Sequence, residues 1–209
     1  MKYCLRALVV IVLFSSCGGD GGDGGESAQA PTIVAQPQSI SAPDETNVTL
    51  SVTVTGTPPF GYQWQLAGVP IPDTNRPTYS TRAVYRASLH FDVAISNIVG
   101  SVTSETAIVS ATPRPPLLTS QPASIAVTAG ESAAFDVEVR GTNQFTIQWQ
   151  RSNDAGATWF EIATQIGNVG RYGTVLRVAA LADSGALFRA VVSNPGGTVT
   201  SQTATLTVS

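Results

Sequence analysis

A stretch of ten residues occurs twice in this chain and sets what the chain can become. Gly56-Thr57-Pro58-Pro59-Phe60-Gly61-Tyr62-Gln63-Trp64-Gln65 returns as Gly141-Thr142-Asn143-Gln144-Phe145-Thr146-Ile147-Gln148-Trp149-Gln150. In each copy a glycine-bearing turn leads into a run where Phe, then Tyr or Ile, then Trp fall on every second residue. Alternation of that period sends the three side chains to one face of a strand. Gln63, Gln65, Gln148 and Gln150 go to the other face, where they are expected to be solvated. A Trp placed in this way is the centre of a small β-sandwich core.

The repetition extends beyond the Trp stretch. Pro31 matches Pro116, 85 positions on, and the same offset pairs Gln36-Pro37 with Gln121-Pro122, Ser39-Ile40 with Ser124-Ile125, and Val52 with Val137. Further along, the offset is 97: Ser96-Asn97 matches Ser193-Asn194, Gly100 matches Gly197, and Val102-Thr103-Ser104 matches Val199-Thr200-Ser201. The widening from 85 to 97 is a 12-residue insertion in the second copy, between the Trp strand and the Asn turn. Two tandem units follow, at 31–112 and 116–209, joined by the linker 113–115. Pro113, Pro115 and Pro116 favour an extended, stiff connector and an end-to-end arrangement of the units.

Alternating runs mark strands at Val48–Val54, Leu89–Ile95 and Ser101–Val109. In the second unit they fall at Phe135–Val139, Phe145–Trp149, Phe188–Val192 and Thr198–Val208. Only 12% of residues are charged, against the ~25% usual in soluble domains. Short strands with regular turn signals and no helical period predict an all-β chain of two-sheet antiparallel sandwiches.

Within this pattern a family likeness becomes specific. Asp183-Ser184-Gly185, followed by Phe188-Arg189-Ala190 and closing at Asn194, resembles the Asp-x-Gly, Tyr-x-Cys, Asn signature of immunoglobulin domains. The chain is similar in particular to the cysteine-free immunoglobulin-like (I-set) repeats of bacterial surface proteins. The resemblance implies that Val52 and Val93, and Val137 and Ala190, hold the places of the two bridging cysteines. It implies that Phe91 and Phe188 replace the corner tyrosine, and that Trp64 and Trp149 pack between the sheets. The first unit departs from the signature, with Ala87-Ser88-Leu89 where the Asp-x-Gly turn is expected. Losing a disulfide costs about 2–5 kcal/mol in a small domain, which hydrocarbon packing must offset. Val137 with Ala190 is the smaller pair, on the order of 1–2 kcal/mol poorer in burial.

The first residues read as an address. Met1 to Arg6 is a short cationic start, and Ala7 to Phe14 is an apolar run of eight residues. Eight is too short for a bilayer, which takes about 20, and fits the core of a signal peptide at 1–16. Phe14-Ser15-Ser16-Cys17 resembles the lipobox of bacterial lipoproteins, which implies cleavage before Cys17 and its acylation. Anchoring through lipid on Cys17 makes the membrane the first expected partner; more than one acyl chain holds it stably. The other reading is an ordinary secretory leader with an incidental cysteine. Gly18 after Cys17 favours the outer membrane, by similarity to the sorting rules of enteric bacteria. Cys4 leaves with the leader, so no intrachain disulfide can form. Residues 17–30, rich in Gly and Asp, are a flexible tether reaching roughly 20 Å.

Charge and chemistry narrow the function. With Lys2 and Arg6 removed, the 11 basic residues fall to 9 against 14 acidic ones, a net of −5. Such a surface argues against nucleic acid. His90, the only histidine, points outward beside Asp92 by strand parity, and no nucleophile elbow accompanies it. With one His and no EF-hand loop, no metal or cofactor is expected. Ser152-Asn153-Asp154-Ala155-Gly156-Ala157-Thr158-Trp159 resembles the Asp-box of sialidases and other propellers. A propeller needs such hairpins on several blades, so this one is expected to be a structural turn. The chain is therefore expected not to be an enzyme.

The insertion, placed at Thr158–Tyr172, offers a candidate binding surface of Trp159, Phe160, Arg171 and Tyr172. Aromatics among polar groups suit a sugar ring or a protein hot spot. Alternatively, Trp159 and Phe160 cover an edge strand. The expected function is display of two immunoglobulin-like units from the cell envelope for protein or glycan binding, as in adhesion. The alternative is a structural spacer or assembly subunit, and a hydrolase is a distant third.

Overall fold

A computed structural model describes residues 27–176 and 179–209. The expected signal peptide, Cys17 and most of the expected tether lie outside those residues. The first sandwich contains β1 (Thr32–Ala35), β2 (Ile40–Pro43), β3 (Asn47–Ser51), β4 (Thr53–Thr55), β5 (Gly61–Leu66), β6 (Val69–Pro70), β7 (Thr78–Arg82), β8 (Ser88–Ser96), β9 (Ser101–Thr103) and β10 (Ala107–Thr112). The second contains β11 (Leu117–Ser120), β12 (Ile125–Val127), β13 (Ala133–Arg140), β14 (Phe145–Ser152), β15 (Phe160–Gly167), β16 (Gly170–Leu176), β17 (Leu187–Asn194), β18 (Gly197–Thr200) and β19 (Ala204–Val208).

Each sandwich has one six-stranded sheet, ordered β2-β10-β8-β5-β6 with β9 beside β8, and β12-β19-β17-β14-β15 with β18 beside β17. Across the core lie the pairs β1-β4 and β3-β7 in the first sandwich, and β11-β13-β16 in the second. Pairing is antiparallel except where β2 meets β10 and β12 meets β19. Among the described residues no helix is long and apolar enough to cross a membrane.

The Trp strands, β5 and β14, lie inside the six-stranded sheets. Trp64 and Trp149 are 0% exposed, and Val52, Phe91, Val93, Val137, Phe188 and Ala190 are buried with them. Register puts Val93 directly opposite Trp64, and Ala190 directly opposite Trp149. The alternation that fixes the parity of each strand thus fills one continuous cluster per sandwich.

Three runs expected as single strands are interrupted. Val48–Val54 breaks at Val52, whose N–H donates to the Pro77 carbonyl (2.9 Å), so β3 and β4 join different partners. Ser101–Val109 and Thr198–Val208 break at matched serines. The Ser104 hydroxyl accepts from the Val93 N–H (3.0 Å) and donates to the Glu105 carbonyl. The Ser201 hydroxyl does the same with Ala190 (2.9 Å) and Gln202. A side chain here replaces a ladder bond and lets the strand step aside.

The insertion is also split. Ala83 and Ala179 hold the same place, since each donates to a turn residue, Thr46 or Glu131, and accepts from its predecessor, Glu45 or Gly130. Their offset is 96, so 11 of the inserted residues precede Ala179 and one falls in the turn that follows.

Both incoming chains are clasped alike. Gln29 exchanges bonds with Thr57, and Asn97 Nδ2 donates to the carbonyls of Gln29 (2.6 Å) and Thr57 (2.8 Å). Arg114, Thr142 and Asn194 repeat that arrangement. Gln29 therefore belongs to the first sandwich rather than to the tether, and Arg114 to the second rather than to a free linker. Two side-chain hydrogen bonds also cross the junction. Thr142 donates its hydroxyl to Asp44 Oδ2 across it (2.7 Å), and both residues are buried. Arg114 Nη2 reaches Thr46 (3.1 Å) from the other side.

Candidate functional site

The inserted segment builds a long hairpin, β14 to β15, and a second strand, β16, that crosses to the opposite sheet. Its tip is the Asp-box. The Ser152 hydroxyl accepts from the Gly156 N–H (2.9 Å) and donates to Asp154 Oδ1 (2.7 Å). Asp154 accepts from both the amide (2.8 Å) and the hydroxyl of Thr158. The Thr158 hydroxyl and amide, with the Ser152 hydroxyl, hold the Asp154 carboxyl down to about 2. The Ser152, Asp154 and Thr158 side chains all close the turn, which makes the motif a structural device.

The four candidate binding residues do not form one surface. Trp159 lies at the tip, where its Nε1 donates to the Gly156 carbonyl (3.0 Å). The Arg189 guanidinium stacks on its ring at 3.9 Å, while Gln150 accepts from Arg189 Nε (2.8 Å). A Cβ at Gly156 would lie 3.7 Å from the indole ring. One face of the half-buried indole is thus taken by Arg189. Tyr172 is at the far end of β15, its hydroxyl donating to the Asn168 carbonyl. It packs over Gly167, where any Cβ would lie 2.1 Å from the hydroxyl oxygen, so only glycine leaves room for the ring. Seven strand steps separate Phe160 from Gly167, roughly 20 Å. Arg171 is on β16 in the other sheet, paired with Asp136 at 2.6 Å, which holds its guanidinium above the ordinary value. Phe160 is 61% exposed; the Arg171 side chain, 72% exposed, is held by Asp136.

What sequence reasoning missed is the rest of that strand. Ile162 and Ile166 are 44% and 81% exposed, and Val169 follows in the turn. The inward positions of β15 are instead Ala163, Gln165 and Gly167, paired with β14 or turned to the half-buried side. Gln165 Nε2 donates to the Gly173 carbonyl of β16 (2.8 Å), tying the two edge strands together. The available signal was the reversed parity, with small or polar residues where a core strand carries its large ones.

Other expected surfaces are also committed. Gln63, expected in solvent, donates to the carbonyl of Ile71 (2.7 Å) and to Thr74 (3.1 Å). Gln148 donates to Glu161 (3.2 Å). His90 is exposed, with Ser88 at 3.2 Å, and among the described residues no hydrogen bond joins it to Asp92. Arg151 and Asp183 form a half-buried ion pair at 2.5 Å under the turn before β17. The Ala180 N–H, and then Arg151, keep the Asp183 carboxyl below its ordinary value. A cleft of 560 Å³ at the junction is lined by Asp44, Glu45, Arg114 and Arg140 among others. Its charges already face Thr142, Arg82, Thr46 and Glu138.

Comparison with known proteins agrees with this architecture. Residues 116–208 match the immunoglobulin I-set domain, and that stretch is an immunoglobulin-like I-set domain. Over 97 residues the chain is 37% identical to Endoglucanase C of Cellulomonas fimi, covering 46% of this chain. The chain spans only 8% of that relative's length. A crystal structure of a run of titin domains superimposes with a TM-score of 0.58 at 20% identity, covering 87% of this chain and 66% of that one. The titin domains Z1Z2 in complex with telethonin give 0.52 at 23% identity, covering 88% and 98%. These two likenesses concern the fold.

Proposed function

We propose that this chain is a lipid-anchored protein of the cell envelope, held in the outer membrane through acylated Cys17, that displays two immunoglobulin-like units for binding a protein or glycan. The observation that carries the binding role is the exposed apolar pair Ile162 and Ile166 on an edge strand, with Phe160 exposed beyond the bulge at Ile162. A surface of that kind on a soluble module marks an interaction site. The cationic start, the short apolar run and the lipobox-like Phe14-Ser15-Ser16-Cys17 support the anchor. The likeness of 97 residues to part of a protein named Endoglucanase C keeps a glycan as the second class of ligand. The junction bond from Thr142 to Asp44 favours a second reading, a stiff spacer or assembly subunit with no ligand of its own.

Two measurements test the proposal. Cys17→Ser should abolish labelling by a fatty acid and release the protein from the membrane fraction. Phe160→Ala with Ile166→Ala should abolish binding found on panels of glycans and envelope proteins. Binding unchanged by that pair of substitutions would remove β15 as the site, and the absence of any binding leaves the spacer.

A further inference from the structure

The outer edge of β15 has no partner within the chain. β14 pairs along its other side. Among the described residues, no main-chain group of 160–167 bonds to any other part of the protein. The same edge in the first sandwich is blunted: β6 has two residues and ends at Pro70. Proline and charge are the usual protection of an exposed edge. β15 has eight residues without Pro, Lys or Arg; its one charge is Glu161, and its one irregularity is a bulge at Ile162, between the partners of Trp149 and Gln150.

We propose that this edge takes a second copy of the chain, β15 pairing antiparallel with β15 about a two-fold axis at Thr164. The inference rests on the reading of the second sandwich as a binding module and names its partner. Opposite residues of an antiparallel pair share a face, so over 163–167, on the regular side of the bulge, only registers joining positions of equal parity keep the outward face continuous. With Thr164 opposite its counterpart, Ala163 faces Gln165, and Ile162 faces Ile166 twice by symmetry. Both exposed isoleucines then find apolar partners. The two Glu161 side chains stand six positions apart along the ribbon, roughly 20 Å, so like charges do not oppose each other. A two-fold pairing of this kind is closed: it joins two six-stranded sheets and stops. One strand pair buries less than a permanent interface requires, so the association is weak and concentration-dependent.

Covalent trapping tests the register. The full chain carrying Thr164→Cys, extracted in mild detergent and oxidised, should give a reducible species of twice the monomer mass. Wild-type chain, which controls for Cys4 and Cys17, and Thr198→Cys on exposed β18 should not give it. Adding Ile166→Lys to Thr164→Cys should cut the trapping roughly tenfold, because symmetry counts each lost cross-strand pair twice. Circular dichroism of that variant checks that the fold is kept; should it fail, Ile166→Thr serves in its place. No double-mass species from Thr164→Cys, or equal trapping from Thr198→Cys, overturns the proposal. A cross-link to a different protein also overturns self-pairing, while leaving the binding role of β15 intact.

Discussion

Trp64 and Trp149 hold matched places in the two sandwiches, yet only the first has its indole N–H paired. Trp64 Nε1 donates to the Arg76 carbonyl at 3.0 Å, whereas Trp149 Nε1 is buried without a partner among the described residues. The cause is the insertion. By strand register, where Tyr79 opposite Leu50 matches Thr174 opposite Phe135, Arg76 corresponds to Arg171. In the first sandwich that position lies in a loop before β7, free to turn its carbonyl inward. In the second it is already in β16, in register with Glu138. Extending the strand drew the backbone into the ladder and left the indole donor behind. The lesson is that equal core residues do not give equal cores when the surrounding loops differ.

The strongest test removes the rings themselves. Trp149→Ala should destabilise the second sandwich by about 3–5 kcal/mol and leave a calorimetric transition for the first. Trp64→Ala should do the converse. If either variant keeps both transitions unshifted, the two clusters are not the separate cores described above.

A smaller effect is expected at the junction, where the sandwiches differ again. Asp44 and Ala129 occupy matched turns, with N–H groups donating to Thr112 and Ser209 respectively. Only Asp44 has a side chain to receive Thr142. Burial pushes the Asp44 carboxyl up, but bonds from Thr142 and the amides of Tyr85 and Glu45, with the Arg114 charge, bring it below its ordinary value. Asp44→Ala leaves the Thr142 hydroxyl and the Tyr85 N–H without an acceptor, a loss of about 1–3 kcal/mol. Small-angle scattering should then show a broader range of inter-sandwich angles. An unchanged profile would mean that the prolines alone set the angle.

These cases also show how far the residues announce the fold. Alternation names the buried face wherever one strand carries its own period, so the eight core positions can be read directly. The matched Gln, Ser and Asn residues mark the hydrogen-bonding devices that both sandwiches reuse, though no period reveals what they bond. The pairing of Asp44 with Thr142, 98 positions apart, leaves no local pattern at all. Nor does the stacking of Arg189 on Trp159, which occupies one face of a candidate ligand platform. The edge β15 was hidden because its large residues point outward, against the rule used to find strands.

Exchanging the indoles for phenyl rings sharpens the first comparison. Trp64→Phe loses a made hydrogen bond and leaves the Arg76 carbonyl to water. Trp149→Phe removes a donor that is buried unpaired, a burden of about 1–3 kcal/mol in the starting protein. Both lose similar ring area, so Trp149→Phe should cost about 1 kcal/mol less than Trp64→Phe. Equal losses in denaturant titration would show that the Trp149 donor is satisfied in solution.

The smallest effect concerns the two hairpins that leave the Trp strands. In the first sandwich, β5 turns into β6 through Ala67 and Gly68, with φ of 50° and 78°. That is the geometry of a tight two-residue turn, in which both central residues have positive φ, and it contains no titrating group. In the second sandwich the turn is closed by Asp154, whose carboxyl sits near 2 against an ordinary 3.8. A lowered value means that the ionised form is the one bound in the folded state. Its contribution is complete above pH 3.8 and is lost as pH falls through 2. Amide exchange should therefore rise at Gly156 and Thr158 over that interval while the Ala67 N–H, which donates to the His90 carbonyl, stays protected. Asp154→Asn keeps one acceptor oxygen without the charge and should flatten the acid dependence while leaving a weaker hairpin at neutral pH. If both turns lose protection together in acid, the loss is global unfolding and the Asp-box carboxylate has no separate part in holding the second hairpin.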